Sequence, residues 1–248
     1  MNILRLLSAF VLSSFIGGLA TQAQSQEDLS WTTERWQRKD VYESLRSQLN
    51  TEISRSKSYN SLVQKYRFRS EQRRQDPNAF FKFAYANFRY AQQTQKKDER
   101  QFRNILQRFS QYPPQGSYEF TRLRFIYEAL NFATPKLRIV GIRLLDRNTR
   151  DLDVNYHIIN TLNIARADDH QLALTCAKRL VKLAPQQAKS HAILGWVYFQ
   201  AWSISKNQKE ARLSLNAYNH YLQLAKPQEP FRPQAQRIVA MLKREARL

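Results

Sequence analysis

The chain has a single cysteine, Cys176, among 248 residues, so no disulfide can form within it. Its setting, Leu174-Thr-Cys-Ala-Lys-Arg-Leu180, reads as a helix interior, where an unpaired thiol is buried rather than reactive. Glycine is nearly as scarce. Of five, Gly17 and Gly18 lie in the apolar N-terminal stretch, leaving Gly116, Gly141 and Gly195. So few glycines, with frequent Ala, Leu, Gln, Arg and Lys, disfavour β and α/β folds and lead to an all-α expectation. Past Ala20 no apolar run approaches the roughly 18 residues that a membrane span needs. There is also no phosphate loop, dinucleotide fingerprint, nucleophile elbow or zinc-protease helix motif. The sequence therefore implies no catalytic residue, no cofactor and no enzyme.

Carboxylates are the third scarcity. Twenty Asp and Glu face forty Lys and Arg, a formal net charge of +20. Such an excess leaves the fold open but predicts attraction to polyanions. The N-terminus narrows which polyanions are available. Arg5 is the only charge in residues 1–23, Leu6 to Ala20 is an apolar stretch of signal-peptide length, and Thr21-Gln22-Ala23 places small residues where a signal peptidase reads. Residues 1–23 are thus expected to be a signal peptide cleaved after Ala23, and the mature chain to be periplasmic or extracellular without a transmembrane span. Outside the cytoplasm the polyanions are acidic glycans, cell-wall polymers, lipid headgroups and extracellular nucleic acid.

Helical periodicity begins after a polar segment, 24–34, expected to be flexible. Val41, Leu45, Leu49 and Ile53 recur at four-residue steps, and Leu62, Val63, Tyr66 and Phe68 continue the rhythm up to Asp76-Pro77. Asn78 to Gln93 carries Phe80, Phe81, Phe83, Tyr85, Phe88 and Tyr90 on more than one face, which predicts a helix sandwiched between neighbours. Beyond the turn Lys96-Lys97-Asp98-Glu99, a partner helix carries Phe102, Ile105, Leu106 and Phe109. Tyr112-Pro113-Pro114-Gln115-Gly116 is the clearest break and reads as a hinge over 112–116 between N-terminal helical pairs (35–111) and a second array (117–227). In that array Glu119 to Phe132 and Pro135 to Arg147 form one pair, the latter with Pro135 in its first turn and Ile139, Ile142 and Leu145 on its buried face. Asp151 to Ala167 with His170 to Leu183, and Ala188 to Trp202 with Gln208 to Ala225, form two more. Residues 228–248 are expected to be a capping helix, covering the last pair with Ile238, Val239, Met241 and Leu242.

Within the second array one 34-residue pattern is written twice. His157, Ile164, Ala173 and Pro185 are answered by His191, Leu194, Gly195, Tyr198, Tyr218, Tyr221 and Pro227. Leu194-Gly195-x-x-Tyr198, and Ala173 followed by Pro185, resemble the tetratricopeptide repeat family over residues 154–227. Asn160 and Thr161 depart from it where leucine and glycine are usual, and extra residues fall near Ser203 to Lys209.

The resemblance implies an α-solenoid of antiparallel helix pairs, a shallow superhelix of about five pairs plus the capping helix. It implies a function as well: a non-catalytic interaction scaffold that holds a protein or peptide partner of the cell envelope in a concave groove. First helices line such a groove. Carried over by spacing, it would comprise Asn155, Ile158, Leu162 and Arg166 from one repeat and Lys189, Ala192, Trp196, Phe199 and Gln200 from the next. Trp196 and Phe199 would form its floor and Arg166 and Lys189 its basic rim. The alternative function is a binder of anionic cell-surface polymer through the basic surface.

Other chemical signals read as structural. His157 and His191 stand one period apart without the further ligands that a metal needs, and no metal is expected. Asp168-Asp169-His170 is placed in a turn between helices. Lys65-Tyr-Arg-Phe-Arg69 with Arg73-Arg74 interleaves cations and aromatics in a manner that suits single-stranded nucleic acid, but a solvated helix beside an acidic neighbour is the simpler reading. Lys178, Arg179 and Lys182 read as a wet outer face.

Overall fold

Four of the described helices begin on a capping aspartate. The computed structural model describes residues 36–246 apart from 38–39, 57, 95–97, 113–115 and 132–136. The expected signal peptide, the segment 24–34 and Pro135 lie outside the described residues. Among those described there are eleven helices and no strand, an all-α fold. They divide between two compact units, 36–131 and 137–246.

The first unit contains α1 (Val41–Arg55), α2 (Tyr59–Gln72), α3 (Pro77–Thr94), α4 (Glu99–Phe109) and α5 (Tyr118–Asn131). Asp40, Asp76 and Asp98 each accept a backbone N–H in the first turn of α1, α3 and α4. Asp40 serves a second helix too. Its carboxylate takes the Ser117 hydroxyl (2.8 Å) and the Glu119 N–H (2.9 Å), so a single side chain closes the N-terminal ends of both α1 and α5. Helix α3 packs on α1, α2 and α5, which is why its aromatics are needed on several faces. Phe80 stacks on Tyr112 (4.9 Å) and meets Phe109 edge-on (4.9 Å). Tyr127 is fully buried, and its hydroxyl donates to Ala84 O (2.8 Å) and Asn87 Oδ1 (3.0 Å), tying α5 to α3. Buried Glu119 pairs with Arg46 (3.2 Å) and Arg122 (3.8 Å) in the same layer.

The second unit runs through α6 (Leu137–Arg147), α7 (Leu152–Ile159), α8 (Ala167–Leu183), α9 (Ala188–Ser205), α10 (Gln208–Leu224) and α11 (Arg232–Glu245), each helix packing on the next. Between α9 and α10 the approach is closest at Gly195. A Cβ there would sit 3.0 Å from the Tyr218 ring, and the Gly195 carbonyl accepts the Ser214 hydroxyl (2.9 Å). The extra residues near Ser203 to Lys209 lengthen α9. It ends on Lys206, whose left-handed φ of 56° reverses the chain before Asn207 caps α10. Tyr218 and Tyr221 meet Phe231, and Ile238 and Leu242 of α11 are buried as expected.

Several expectations need correction. The first helix of the fourth pair stops at Ile159 instead of reaching Ala167. The chain leaves the helix at Asn160 and Thr161, the positions that depart from the repeat pattern. There the Thr161 hydroxyl donates to Ile158 O (2.7 Å) and the Asn163 N–H to Asp169 Oδ2 (3.0 Å). Asp168-Asp169-His170 consequently forms the first turn of α8, where buried Asp169 also pairs with Arg138 (2.7 Å). On α6 the buried face is Leu137, Val140, Leu144 and Leu145, while Ile139 is 61% exposed. On α2, Phe68 is 60% exposed, and on α1 Val41 is exposed as well. The 112–116 segment is flanked by residues tied into the first unit: the Tyr112 hydroxyl donates to Arg74 O, and Ser117 bonds Asp40. The two units divide between Asn131 and Phe132.

Two substitutions probe these joints. Asp40→Ala removes a helix cap worth about 1 kcal/mol and the charge-assisted bond to the Glu119 N–H worth about 2 kcal/mol. Denaturant titration should show a loss near 3 kcal/mol, with Asp40→Asn keeping a large part of it. Gly195→Val forces methyl groups into the Tyr218 ring and should cost about 1–3 kcal/mol by overpacking. An unchanged melting temperature would disprove the close approach.

Candidate functional site

The residues expected to line a groove in the second unit do not come together as a surface. Asn155 is buried and spends its amide on Thr149 O (2.9 Å) and Asp151 O (2.7 Å). Ile158 and Ala192 are core residues. Leu162 and Arg166 stand beyond the end of α7, Arg166 being exposed at the residue preceding α8. Lys189 is exposed on α9, its ammonium 3.7 Å from the centre of the Tyr156 ring, and Gln200 is half-buried. Trp196 and Phe199, the expected floor, are only 7% and 3% exposed. The cause lies in α9 itself. Helices α8 and α10 both pack on it, and it buries Ala192, Gly195, Val197, Tyr198, Ala201 and Trp202 as well. A helix apolar all round is covered all round. The run Trp196-Val-Tyr-Phe-Gln-Ala-Trp202 carried that signal, because it offers no polar face.

A cleft of about 780 Å³ opens in the first unit instead, where the C-terminal turns of α1 and α3 meet the start of α2. Asn50, Ile53 and Ser54 enter it from α1, Ser56 and Tyr59 from the α1–α2 turn, and Arg89, Gln93 and Thr94 from α3. Its floor is Ile53, which is buried, while Asn50, Ser54 and Gln93 are exposed at its mouth. Asn50 is held by the hydroxyl of Tyr85, which donates to its Oδ1 (2.8 Å). Arg89 is the one charged residue among the described lining residues, and it makes no hydrogen bond or ion pair with the described residues. Sequence reasoning missed this site. Arg89 and Asn50 sit in ordinary helix-end contexts and become neighbours of one cavity only through the packing of α3 on α1.

The basic surface splits into neutralised and open parts. On α2, Lys65 pairs with Glu52 (2.5 Å) and Arg67 with Glu71 (2.9 Å), which bears out a solvated helix beside an acidic neighbour. Burial works to raise the Glu52 carboxyl, but hydrogen bonds from Lys65 and Tyr66 outweigh it, so the group is held below its ordinary range. On α8 and α10, Lys178, Lys182, Lys209 and Arg212 are exposed and make no ion pair with the described residues.

Histidines and the thiol are placed for structure. His157 is buried, and His191 Nε2 lies 2.8 Å from Pro185 O with the His220 ring 5.5 Å away. Among the described residues no group of three metal-ligating side chains occurs. Cys176 is fully buried on α8, and burial pushes its thiol up to about 11, against a smaller opposing pull from Arg179. No family model, no curated protein and no solved structure matches the chain.

The Cys176 environment is directly testable. A thiol reagent at pH 8 should leave the folded protein unlabelled for hours and react at once in denaturant. Prompt stoichiometric labelling of the native chain would place the thiol at the surface.

Proposed function

We propose that the chain is a non-catalytic, exported interaction scaffold that binds an anionic polymer of the cell envelope, an acidic glycan first among them. Its second unit is read as stacked helical hairpins of the tetratricopeptide type. The signal-like N-terminus supports export, and the 34-residue echo with its close Gly195–Tyr218 contact supports the hairpin reading. The observation that carries the choice of partner is the open set of cations. Lys178, Lys182, Lys209 and Arg212 are exposed and make no ion pair with the described residues, on a chain with a net charge of +20.

Unpaired surface cations attract polyanions by releasing the counterions that these hold. The competing partner, a peptide in an aromatic groove, loses its footing because Trp196 and Phe199 are buried. Arg166 and Lys189 then remain as separate exposed cations rather than the rim of one groove.

Polygalacturonate binding measured at rising salt tests this reading. With four anionic groups neutralised, affinity should fall roughly ten- to a hundredfold between about 50 and 200 mM NaCl. Reversing Lys178, Lys182, Lys209 and Arg212 to glutamate should weaken it at least as much at low salt. Binding that ignores both salt and charge reversal would contradict a polyanion partner and return attention to a peptide.

A further inference from the structure

We infer that the Arg89 cleft of the first unit binds one acidic sugar unit, a hydroxylated ring carrying a carboxylate or sulfate. The inference rests on the anionic-polymer reading and gives that polymer a specific point of attachment.

The case begins with hydrogen-bond bookkeeping at the cleft wall. The Ser54 hydroxyl donates to Thr51 O (2.8 Å), that of Ser56 to Ser58 O (3.0 Å) and that of Thr94 to Tyr90 O (2.8 Å). A hydroxyl has one proton and two lone pairs, so the Ser54 oxygen keeps acceptor capacity after its proton is committed, and the Ser56 oxygen, which also accepts the Ser58 N–H (3.3 Å), keeps one lone pair. Asn50 is in the opposite state. Its Oδ1 takes the Tyr85 proton, which leaves its NH₂ as the donor. Gln93, one turn from Arg89 on α3, makes no hydrogen bond with the described residues and can act either way. The wall thus alternates committed acceptors and free donors within one cavity.

Sugar hydroxyls are both donor and acceptor, and they match such a mixture. An aliphatic chain or an apolar peptide side chain would displace water from these groups without replacing its hydrogen bonds. Arg89 adds a requirement that a neutral sugar does not meet. Its guanidinium is the only charge among the described lining residues, it makes no ion pair with the described residues, and its planar fork suits a carboxylate or sulfate bidentately. The Tyr59 ring supplies an aromatic surface for the C–H face of a pyranose. A volume of about 780 Å³ lies within the usual range of small-ligand sites and accommodates one or two sugar rings. The exposed mouth at Asn50, Ser54 and Gln93 leaves room for a chain to continue outward.

Calorimetric titration of the full chain with a galacturonic acid trimer, and with the neutral galactose trimer, is the test. The acidic trimer should bind, and the neutral trimer about tenfold or more weaker, since one charge-assisted pair is lost. Arg89→Gln should reduce acidic-trimer affinity by a similar factor. Gln93→Glu, at an exposed position, should do the same by placing a carboxylate beside Arg89. Because Gln93 is not a core residue, this variant decides the matter if Arg89→Gln fails to fold. Equal binding of the two trimers, or wild-type affinity in a folded variant, overturns the cleft assignment. If the trimer fails while long polygalacturonate still binds in a salt-sensitive manner, the cleft falls and the polymer reading stands. Failure of both ligands removes both readings. Galacturonate monomer binding as tightly as the trimer supports the same ligand chemistry and identifies its source as a free sugar acid.

Discussion

Carboxylate is the scarce component in this molecule, and the way it is distributed governs both fold and surface. The chain has half as many acidic as basic side chains. Several of the acids are committed where a helix begins: Asp40, Asp76, Asp98 and Asp151 take first-turn N–H groups, where a negative charge also meets the positive end of the helix dipole. Others are held inside. Glu119 lies between Arg46 and Arg122, Glu128 pairs with Arg124 (2.7 Å), and Asp169 with Arg138 (2.7 Å). Removing the basic partner would leave a buried carboxylate short of a counter-charge, which is costly even where the cation itself is partly solvated, as Arg46 and Arg138 are. Basic side chains outnumber the carboxylates that remain, and Lys178, Lys182, Lys209 and Arg212 make no ion pair with the described residues. With acids outnumbered two to one, committing seven of them to helix starts and internal pairs leaves the exterior still more cationic.

The helical class was legible in the sequence because its signals are local. Four-residue apolar steps placed α1, and the break at Asp76-Pro77 and the charged turn before Phe102 placed α3 and α4, close to where they lie, and the aromatics of α3 announced a helix with several neighbours. The misreadings arose where tertiary packing decides. A period-based face on α6 included Ile139, but α6 turns Leu137, Val140 and Leu144 inward instead. The early end of α7 was written in Asn160 and Thr161, whose side chains favour local backbone bonds over a continuing helix.

The candidate site was harder to see, for a related reason. Placing Trp196 and Phe199 on a groove assumed that a first helix keeps one face open. Helix α9 has no polar face to keep open, and its neighbours cover it. The Arg89 cleft escaped notice because no short motif links Asn50, Ser54, Arg89 and Gln93. Their relation exists only after α3 packs on α1, and the acceptor character of the serines comes from bonds to their own backbone. Binding chemistry built from helix ends leaves little periodic trace.

Thermal unfolding of the protein across a sodium chloride series tests this charge distribution most directly. Screening relieves repulsion among unpaired surface cations and hardly touches buried pairs and caps. The melting temperature should therefore rise between about 10 and 300 mM salt, where the Debye length shortens from roughly 30 to 6 Å. A melting temperature that falls over that range would mean that exposed ion pairs hold the structure together, contradicting a surface of unpartnered cations.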